Sequence, residues 1–240
     1  MGAHSVKLKD RKEVAEGTMA FFFDRPAGFE FVAGQSIDLT LLDPPETDGE
    51  GNTRALSLAS APYEADLMVA TRLRNTAFKR VLKTMPLGTE VKIDGPFGSM
   101  TLHKKVARPA VFLAGGIGIT PFRSIVHQAI TTNTGHRLFL FYSNRRPEDT
   151  AFLAELQALA QQHSNFTLVA TMTHLEESAL SWSGETGFII KEMLVQYLED
   201  LAAPIYYAAG PPALVAAMRE MLSKAGADED DIRSEDFAGY

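Results

Sequence analysis

Hydrophobic and polar residues change rhythm once along this chain. In the first part the pattern repeats every second residue. Val6 and Leu8 alternate with Lys7 and Lys9, and the same rhythm returns in Met19, Phe21 and Phe23 and in Ile37, Leu39 and Leu41. Leu67 to Leu73 and Glu90 to Ile93 complete the set. Period two marks strands with one face on a core. Turn residues between them predict a small antiparallel barrel of five or six strands. One helix interrupts the strands. Phe78, Val81, Leu82 and Met85 line its apolar face, Asn75 or Thr76 is placed to cap it, and Pro86-Leu87-Gly88 ends it. Pro44 to Asn52, PPETDGEGN, reads as a loop.

From Ala110 onward apolar runs alternate with helical spacing. Val111, Phe112 and Leu113 form a buried strand, glycines follow, and Thr120-Pro121 open a helix carrying Phe122, Ile125, Val126 and Ala129. Leu138 to Tyr142 is the next strand. Pro147 starts a helix running to about Gln162, and Thr167 to Thr171 is a third strand. Phe188 to Leu198 reads as a strand end and helix, Ile205 to Ala209 as a fourth apolar run, and Pro211 to Lys224 as a helix stopped by Gly226. Strand–helix alternation predicts a doubly wound parallel sheet, which binds ligands at the carboxyl ends of its strands. Three loops lie there: Gly115–Thr120, Ser143–Arg146 and Gly210–Pro212.

Charge divides the chain at the same place. Residues 1–105 hold 14 basic and 14 acidic side chains, and residues 106–240 hold 9 and 16, so the whole net charge of −7 lies in the second part. The expected division is a barrel domain over 1–105 and an α/β domain over 106–240. A neutral half beside an acidic one argues against nucleic-acid binding, which wants a strongly basic face. The absence of cysteine excludes disulfides, thiolate nucleophiles, cysteine-bound zinc and ordinary iron–sulfur clusters within these 240 residues. The six histidines show no metal-ligand spacing. No apolar run reaches the length of a membrane span and the start lacks the apolar core of a signal peptide, so the expected location is cytoplasmic.

Two stretches carry candidate chemistry. In Gly115-Gly116-Ile117-Gly118-Ile119-Thr120-Pro121, glycines precede a helix N-terminus, an arrangement that can cradle a pyrophosphate. Pro121 stands where a dinucleotide fingerprint has its third glycine, and a plain strand-to-helix turn has the same composition. In Arg54-Ala55-Leu56-Ser57-Leu58-Ala59-Ser60, a forked cation suited to phosphate precedes the hydroxyls of Ser57 and Ser60 on a strand. Taken alone, that stretch also suits an exposed arginine and two strand serines.

Together with their order, these stretches resemble the ferredoxin–NADP reductase family. Phe31-Val32-Ala33-Gly34-Gln35, Arg54 to Ser60, Gly95-Pro96-Phe97-Gly98, Gly115 to Pro121, Ala209-Gly210-Pro211-Pro212 and Glu235-Asp236-Phe237 follow one another as in that family, over nearly the whole chain. The resemblance implies a flavin-binding barrel followed by an NAD(P)-binding α/β domain. It implies hydride transfer from NAD(P)H to FAD and electron delivery to an acceptor. With no cysteine here, that acceptor is expected to be separate: a ferredoxin, a flavodoxin or an oxygenase component. Arg54 then corresponds to the flavin pyrophosphate anchor, Ser57 to the serine near flavin N5, and Leu56 to a position usually aromatic. Thr76, following Arg72 and Arg74, corresponds to a second phosphate contact, and Gly95 to Gly98 to the turn beside the flavin. Ala209 stands where relatives often have cysteine.

The coenzyme clues conflict. Arg145 and Arg146 after the second strand suit the 2′-phosphate of NADP, but Thr171-Met172-Thr173 after the third offers no cation, so NADP and NAD both stay open. At the C-terminus the resemblance implies that Phe237 covers the flavin ring and that Glu235 relays a proton towards Ser57. Tyr240 is the alternative cover. Arg72, Arg74, Lys79, Arg80, Lys83, Lys104 and Lys105 can form a basic face for an acidic electron carrier. A nucleotide-binding regulatory module on the same fold, without turnover, is the rival reading.

Overall fold

The computed structural model describes residues 2–237. Its first sheet has six antiparallel strands: β1 (His4–Ala15), β2 (Thr18–Phe23), β3 (Ser36–Leu41), β4 (Thr53–Ser57), β5 (Leu67–Arg72) and β6 (Glu90–Phe97). Their order is β4-β3-β6-β1-β2-β5. The edge strands meet through an antiparallel bridge from Leu58 to Val69, which curls the sheet into a barrel. Strict alternation drives this: in β3, Ile37, Leu39 and Leu41 point inward while Ser36, Asp38 and Thr40 stay partly exposed. α1 (Ala77–Thr84) closes one end, packing Phe78, Val81 and Leu82 against Leu8, Phe21, Ile37 and Ile93.

The second sheet is parallel, in the order β10-β9-β8-β7-β11-β12. Its strands are β7 (Ala110–Gly115), β8 (Leu138–Asn144), β9 (Phe166–Met172), β10 (Glu185–Thr186), β11 (Ile205–Gly210) and β12 (Ile232–Asp236). β7 shows why its sequence does not alternate: both faces are covered. Phe112 joins a core with α2 (Ile119–Thr131), α3 (Leu153–Gln162) and barrel residues Ala20, Ala59 and Met68, while Val111 and Leu113 join another with α4 (Lys191–Leu194) and α5 (Pro212–Lys224). The chain leaves β7 towards β8 on one side and returns as β11 on the other. That reversal opens a crevice at the carboxyl ends.

Two expected elements differ, and one strand was not expected. The helix expected from Pro147 is a single tight turn over Pro147–Asp149, and α3 begins only at Leu153. Asp149 is held by Arg72 and Arg146, and Phe152 sits at φ +61° with its ring beneath Arg123, so the chain is turned before the helix starts. Over Phe188 to Leu198 the strand falls earlier, at Glu185–Thr186, and the helix is one turn. β12 has too few apolar residues to show periodicity; pairing with β11 makes it a strand. Among the described residues no helix is long and apolar enough to cross a membrane.

Candidate active site

A cavity of about 560 Å³ lies where the two sheets meet. β4 contributes Arg54, Leu56 and Ser57 to its wall, α1 and the residues before it contribute Arg74, Thr76, Phe78 and Lys79, and α2 contributes Thr120. Glu235 and Asp236 of β12, with Phe237, form the opposite side.

One end is cationic. The Arg54 guanidinium lies 5.0 Å from the ring centre of Phe78. Its Nη1 donates to the carbonyls of Glu50, Gly51 and Thr53 at 2.9, 3.1 and 2.8 Å, and Nη2 donates to the Glu50 carboxylate at 2.8 Å. The backbone N–H of Ala77, in the first turn of α1, donates to Asp48 at 2.7 Å. That hydrogen bond first, and Arg54 with others after it, hold the Asp48 carboxyl below the usual carboxylate range. Carboxylates from the 44–52 loop therefore sit where the field favours an anion: beside a guanidinium and at a helix N-terminus. Asp48 also performs the capping expected of Asn75 or Thr76. Thr76 is at the N-cap position but its hydroxyl makes no capping bond, and Asn75 accepts from Arg80 instead. The Thr76 Oγ1 is buried without a hydrogen-bond partner, a costly state on a cavity wall that a ligand oxygen would relieve. Lys79 adds a further cation; burial, then Arg74 and Arg54, lower its ammonium to about 8.

Uncharged residues of β4 line the cavity as well. Leu56 and Ser57 are buried on β4. Phe237 lines the same cavity, held by its backbone N–H, which donates to the Gly210 carbonyl at 2.9 Å. Burial raises the Glu235 carboxyl above its ordinary value, which favours the protonated form. Cations, an apolar side chain beside a hydroxyl, and a carboxyl raised above its ordinary value suit a long ligand with phosphate at one end and a planar ring at the other.

The glycine loop divides its labour. A Cβ on Gly118 would meet the Ala209 carbonyl oxygen at 2.2 Å, and one on Gly115 would meet Leu214 at 2.7 Å, so these two glycines seat the turn against β11 and α5. Gly116, at φ +52° with open space before it, is the member that turns outward. Gly210 is needed for its approach to Gly115, where a Cβ would stand 2.8 Å from the Gly115 carbonyl oxygen. Pro121 falls in the first turn of α2 and Pro211-Pro212 start α5, positions where a missing N–H costs nothing. The Thr120 hydroxyl donates to the Ile117 carbonyl at 3.1 Å and lines the cavity.

Several expected site residues are used elsewhere. Arg72 turns away to Asp149 at 3.4 Å, because β5 ends there and the next turn delivers Arg74 to the cavity. Ser60 is spent inside the fold: its Oγ accepts from the Met68 N–H and its carbonyl from the Ser124 hydroxyl. Gly95 packs on Ile37, and Gly98 reaches the cavity only through its neighbour Ser36. Arg146 pairs with Asp149 and, at 2.9 Å, with Glu16 in the β1–β2 turn, tying the two sheets together. Arg145 stays exposed and pairs with Glu177 at 3.1 Å. The basic face breaks up as well. Arg72 pairs with Asp149, Arg80 pairs with Glu46, and Lys79 is buried, whereas Arg74 lines the cavity while staying exposed. Tyr240 lies outside the described residues. The sequence alone did not assign Asp48, Glu50, Arg74 and Lys79 to the site. Only the position of Arg74 just before the helix and of Lys79 one turn into it was a signal.

Comparison with known proteins agrees with this geometry. Residues 112–220 match the oxidoreductase NAD-binding domain. The chain is similar to the glycine betaine monooxygenase reductase subunit of Chromohalobacter salexigens, 27% identical over 92% of this chain and 60% of that protein. It is also similar to the reductase component of propane 2-monooxygenase from Rhodococcus jostii, 25% identical over 88% of this chain and 57% of that protein. The chain thus spans only about three-fifths of the length of these curated relatives. In fold it is similar to a ferredoxin NADP+ reductase from Neisseria gonorrhoeae solved with bound FAD and NADP, with a TM-score of 0.82 and 24% identity over 98% of both chains. With its barrel and parallel sheet in this order, the chain has the fold of that reductase, and residues 112–220 carry its match to the oxidoreductase NAD-binding domain.

Proposed function

We propose that the protein is an NAD(P)H-dependent flavoprotein reductase that passes electrons from bound FAD to a separate acceptor, a small electron-carrier protein or an oxygenase component. The observation that carries this reading is the cavity between the sheets, lined by cations and an unpartnered Thr76 hydroxyl and also by buried Leu56 and Ser57 and by Phe237 at the last strand's end. These residues fit a flavin dinucleotide: the cations match its pyrophosphate and the uncharged side chains its ring. FAD bound there would accept hydride from nicotinamide and release electrons onward. Arg54 and Arg74 would hold phosphate, and Ser57 would offer its hydroxyl to the ring. Glu235, whose carboxyl burial raises above its ordinary value, would be the proton-holding group on the cavity wall. Phe237 would cover the ring and exclude water until nicotinamide takes its place. Gly116, Thr120, Gly210 and Arg145 would meet the coenzyme at the carboxyl ends of β7, β8 and β11.

In this reading residues 1–105 form the FAD half and 106–240 the NAD(P) half, although the shared core around Phe112 makes them one packed body. Relatives named as monooxygenase reductase subunits support an oxygenase or electron carrier as acceptor. Because NAD(P)H is a cytoplasmic reductant, we propose a cytoplasmic site of action. The test is reconstitution of the purified protein with FAD, followed by anaerobic addition of NADH or NADPH. A yellow protein that bleaches is the expected result. A protein that binds FAD but does not bleach with either coenzyme would leave the regulatory module as the better account, and one that stays colourless would remove the flavin reading.

A further inference from the structure

We propose that the acidic loop over residues 44–52 is an internal stand-in for the flavin phosphates, which FAD must displace in order to load. The inference rests on the flavin reading of the cavity and adds to it a control of cofactor entry by the chain's own carboxylates.

The loop joins β3 to β4 and carries Glu46, Asp48 and Glu50 at every second position. Each carboxylate meets a positive group. Asp48 Oδ2 accepts from the Ala77 N–H at 2.7 Å, at the start of α1, and its Oδ1 stands 4.0 Å from Arg54 Nη2. Glu50 Oε2 accepts from the same Nη2 at 2.8 Å. Carbonyls of Glu50, Gly51 and Thr53 take up Arg54 Nη1. The fork of the guanidinium and the helix end beside it are the two groups best suited to grip a phosphate, and the loop holds both. Its two inner carboxylates also bring as many negative charges as the pyrophosphate of FAD. A phosphate gripped there would compete for the same N–H donors and would lie against like charges. Loading is therefore an exchange of anions rather than an addition.

The loop is anchored at its ends and lightly held between them. Glu46 pairs with Arg80 through both oxygens, at 2.9 and 2.5 Å, just after Pro44-Pro45. At the other end Asn52 is tied to Leu41, its side-chain amide donating to the Leu41 carbonyl at 2.8 Å and its carbonyl accepting from the Leu41 N–H at 2.9 Å. Between these ties Asp48 and Glu50 alternate with Gly49 and Gly51, and Gly51 sits at φ +74°. The Asp48 and Glu50 side chains keep 32% and 65% of their surface exposed, so their ion pairs are of the weak, water-screened kind that an incoming dianion can replace. The apparent affinity for FAD then falls below the intrinsic one by the fraction of molecules whose loop has let go. Riboflavin, which has no phosphate, needs no exchange.

The test pairs fluorescence titration of the whole protein with FAD and riboflavin and cleavage by a glutamate-specific protease, mapped by mass spectrometry. Asp48→Ala combined with Glu50→Gln is expected to tighten FAD binding about tenfold, one cap and one exposed ion pair being removed from the competitor, and to leave riboflavin affinity unchanged. In the unchanged protein, FAD or inorganic pyrophosphate is expected to speed cleavage after Glu46 and Glu50, and riboflavin is not. Cleavage there that FAD slows or leaves unaltered would show the loop still seated and overturn the proposal while leaving the flavin reading intact. So would FAD affinity in the double variant equal to or weaker than that of the unchanged protein. If neither protein binds FAD, the flavin reading falls and this inference with it. Should the double variant not fold, the cleavage pattern of the unchanged protein decides.

Discussion

Replacing Arg123 with methionine is the sharpest test of how the two sheets are locked together. Arg123 lies on α2 and is buried, yet all its partners sit on other elements. Nη1 donates to the Ala59 carbonyl at 2.7 Å and to Glu64 at 2.9 Å. Nη2 donates to Glu64 at 3.2 Å and Glu155 at 2.6 Å, and Nε to Glu155 at 3.1 Å. Ala59 and Glu64 belong to the loop after β4, and Glu155 to α3, so one guanidinium joins barrel, α2 and α3. His127, one turn along α2, adds a contact to Glu155 at 2.7 Å and another to Tyr63 at 3.2 Å. Methionine fills similar space but leaves two carboxylates facing each other and a carbonyl unpaired. Breaking a buried pair by removing one partner costs ~3–5 kcal/mol. Glu64 and Glu155 keep 29% and 34% of their side-chain surface exposed, which water can exploit, so the lower end, ~3 kcal/mol, is the expectation. For a chain of this length that is a drop of about 6–12 °C in Tm by scanning calorimetry.

A second signature lies in the acid limb. Burial alone would raise the Glu155 carboxyl, but hydrogen bonds from His127 and Arg123 outweigh it and hold it at about 2, against an ordinary 4.5. Its folded value lies below its unfolded one. The stabilisation is therefore complete above pH 4.5 and is lost as pH falls towards 2. The Arg123→Met protein is expected to lose less over that interval. Arg123→Lys, with charge but no fork, is expected to recover part of the stability. A melting temperature for Arg123→Met within about 2 °C of the unchanged protein, less than 1 kcal/mol, would refute the reasoning.

The remaining expectations concern the site. Arg54→Ala should weaken FAD binding by about tenfold or more in a fluorescence titration, and Arg54→Lys should restore only part, because the fork is lost. Arg145→Ala should raise the KM for NADPH and leave that for NADH nearly unchanged if Arg145 meets a 2′-phosphate. Arg146→Ala should act on thermal stability through the lost Asp149 and Glu16 pairs, with both coenzymes affected alike. Phe237→Ser should tighten nicotinamide binding, slow turnover and shift the flavin absorbance bands, whereas removing residues 238–240 should be mild. The reverse pattern would move the ring-covering role to Tyr240.

Local pattern carried most of the fold. The period-two strands, the helix with Phe78 and Val81 inward, and the passage to fully apolar strands at Val111 are each written within a few residues, because burial on one face or two leaves a local signature. Arg54 and Ser57 were singled out from neighbouring residue types, and the fold places both on the cavity wall, with the glycine turn at the carboxyl end of β7. What depends on residues distant in sequence was not legible. Arg74 rather than Arg72 reaches the cavity because β5 ends where it does and Asp149, far along the chain, captures Arg72. Ser60 looked like a ligand until Met68 and Ser124 claimed it. Asp48 and Glu50 belong to a stretch whose composition says only loop, yet their carboxylates occupy the helix end and the Arg54 fork. Lys79 reads as one more surface cation, and only the closure of two sheets over it makes it a buried charge. Residue type and spacing record what a segment does for itself, whereas the partner of a charged side chain is chosen by whichever group the assembled fold brings within reach.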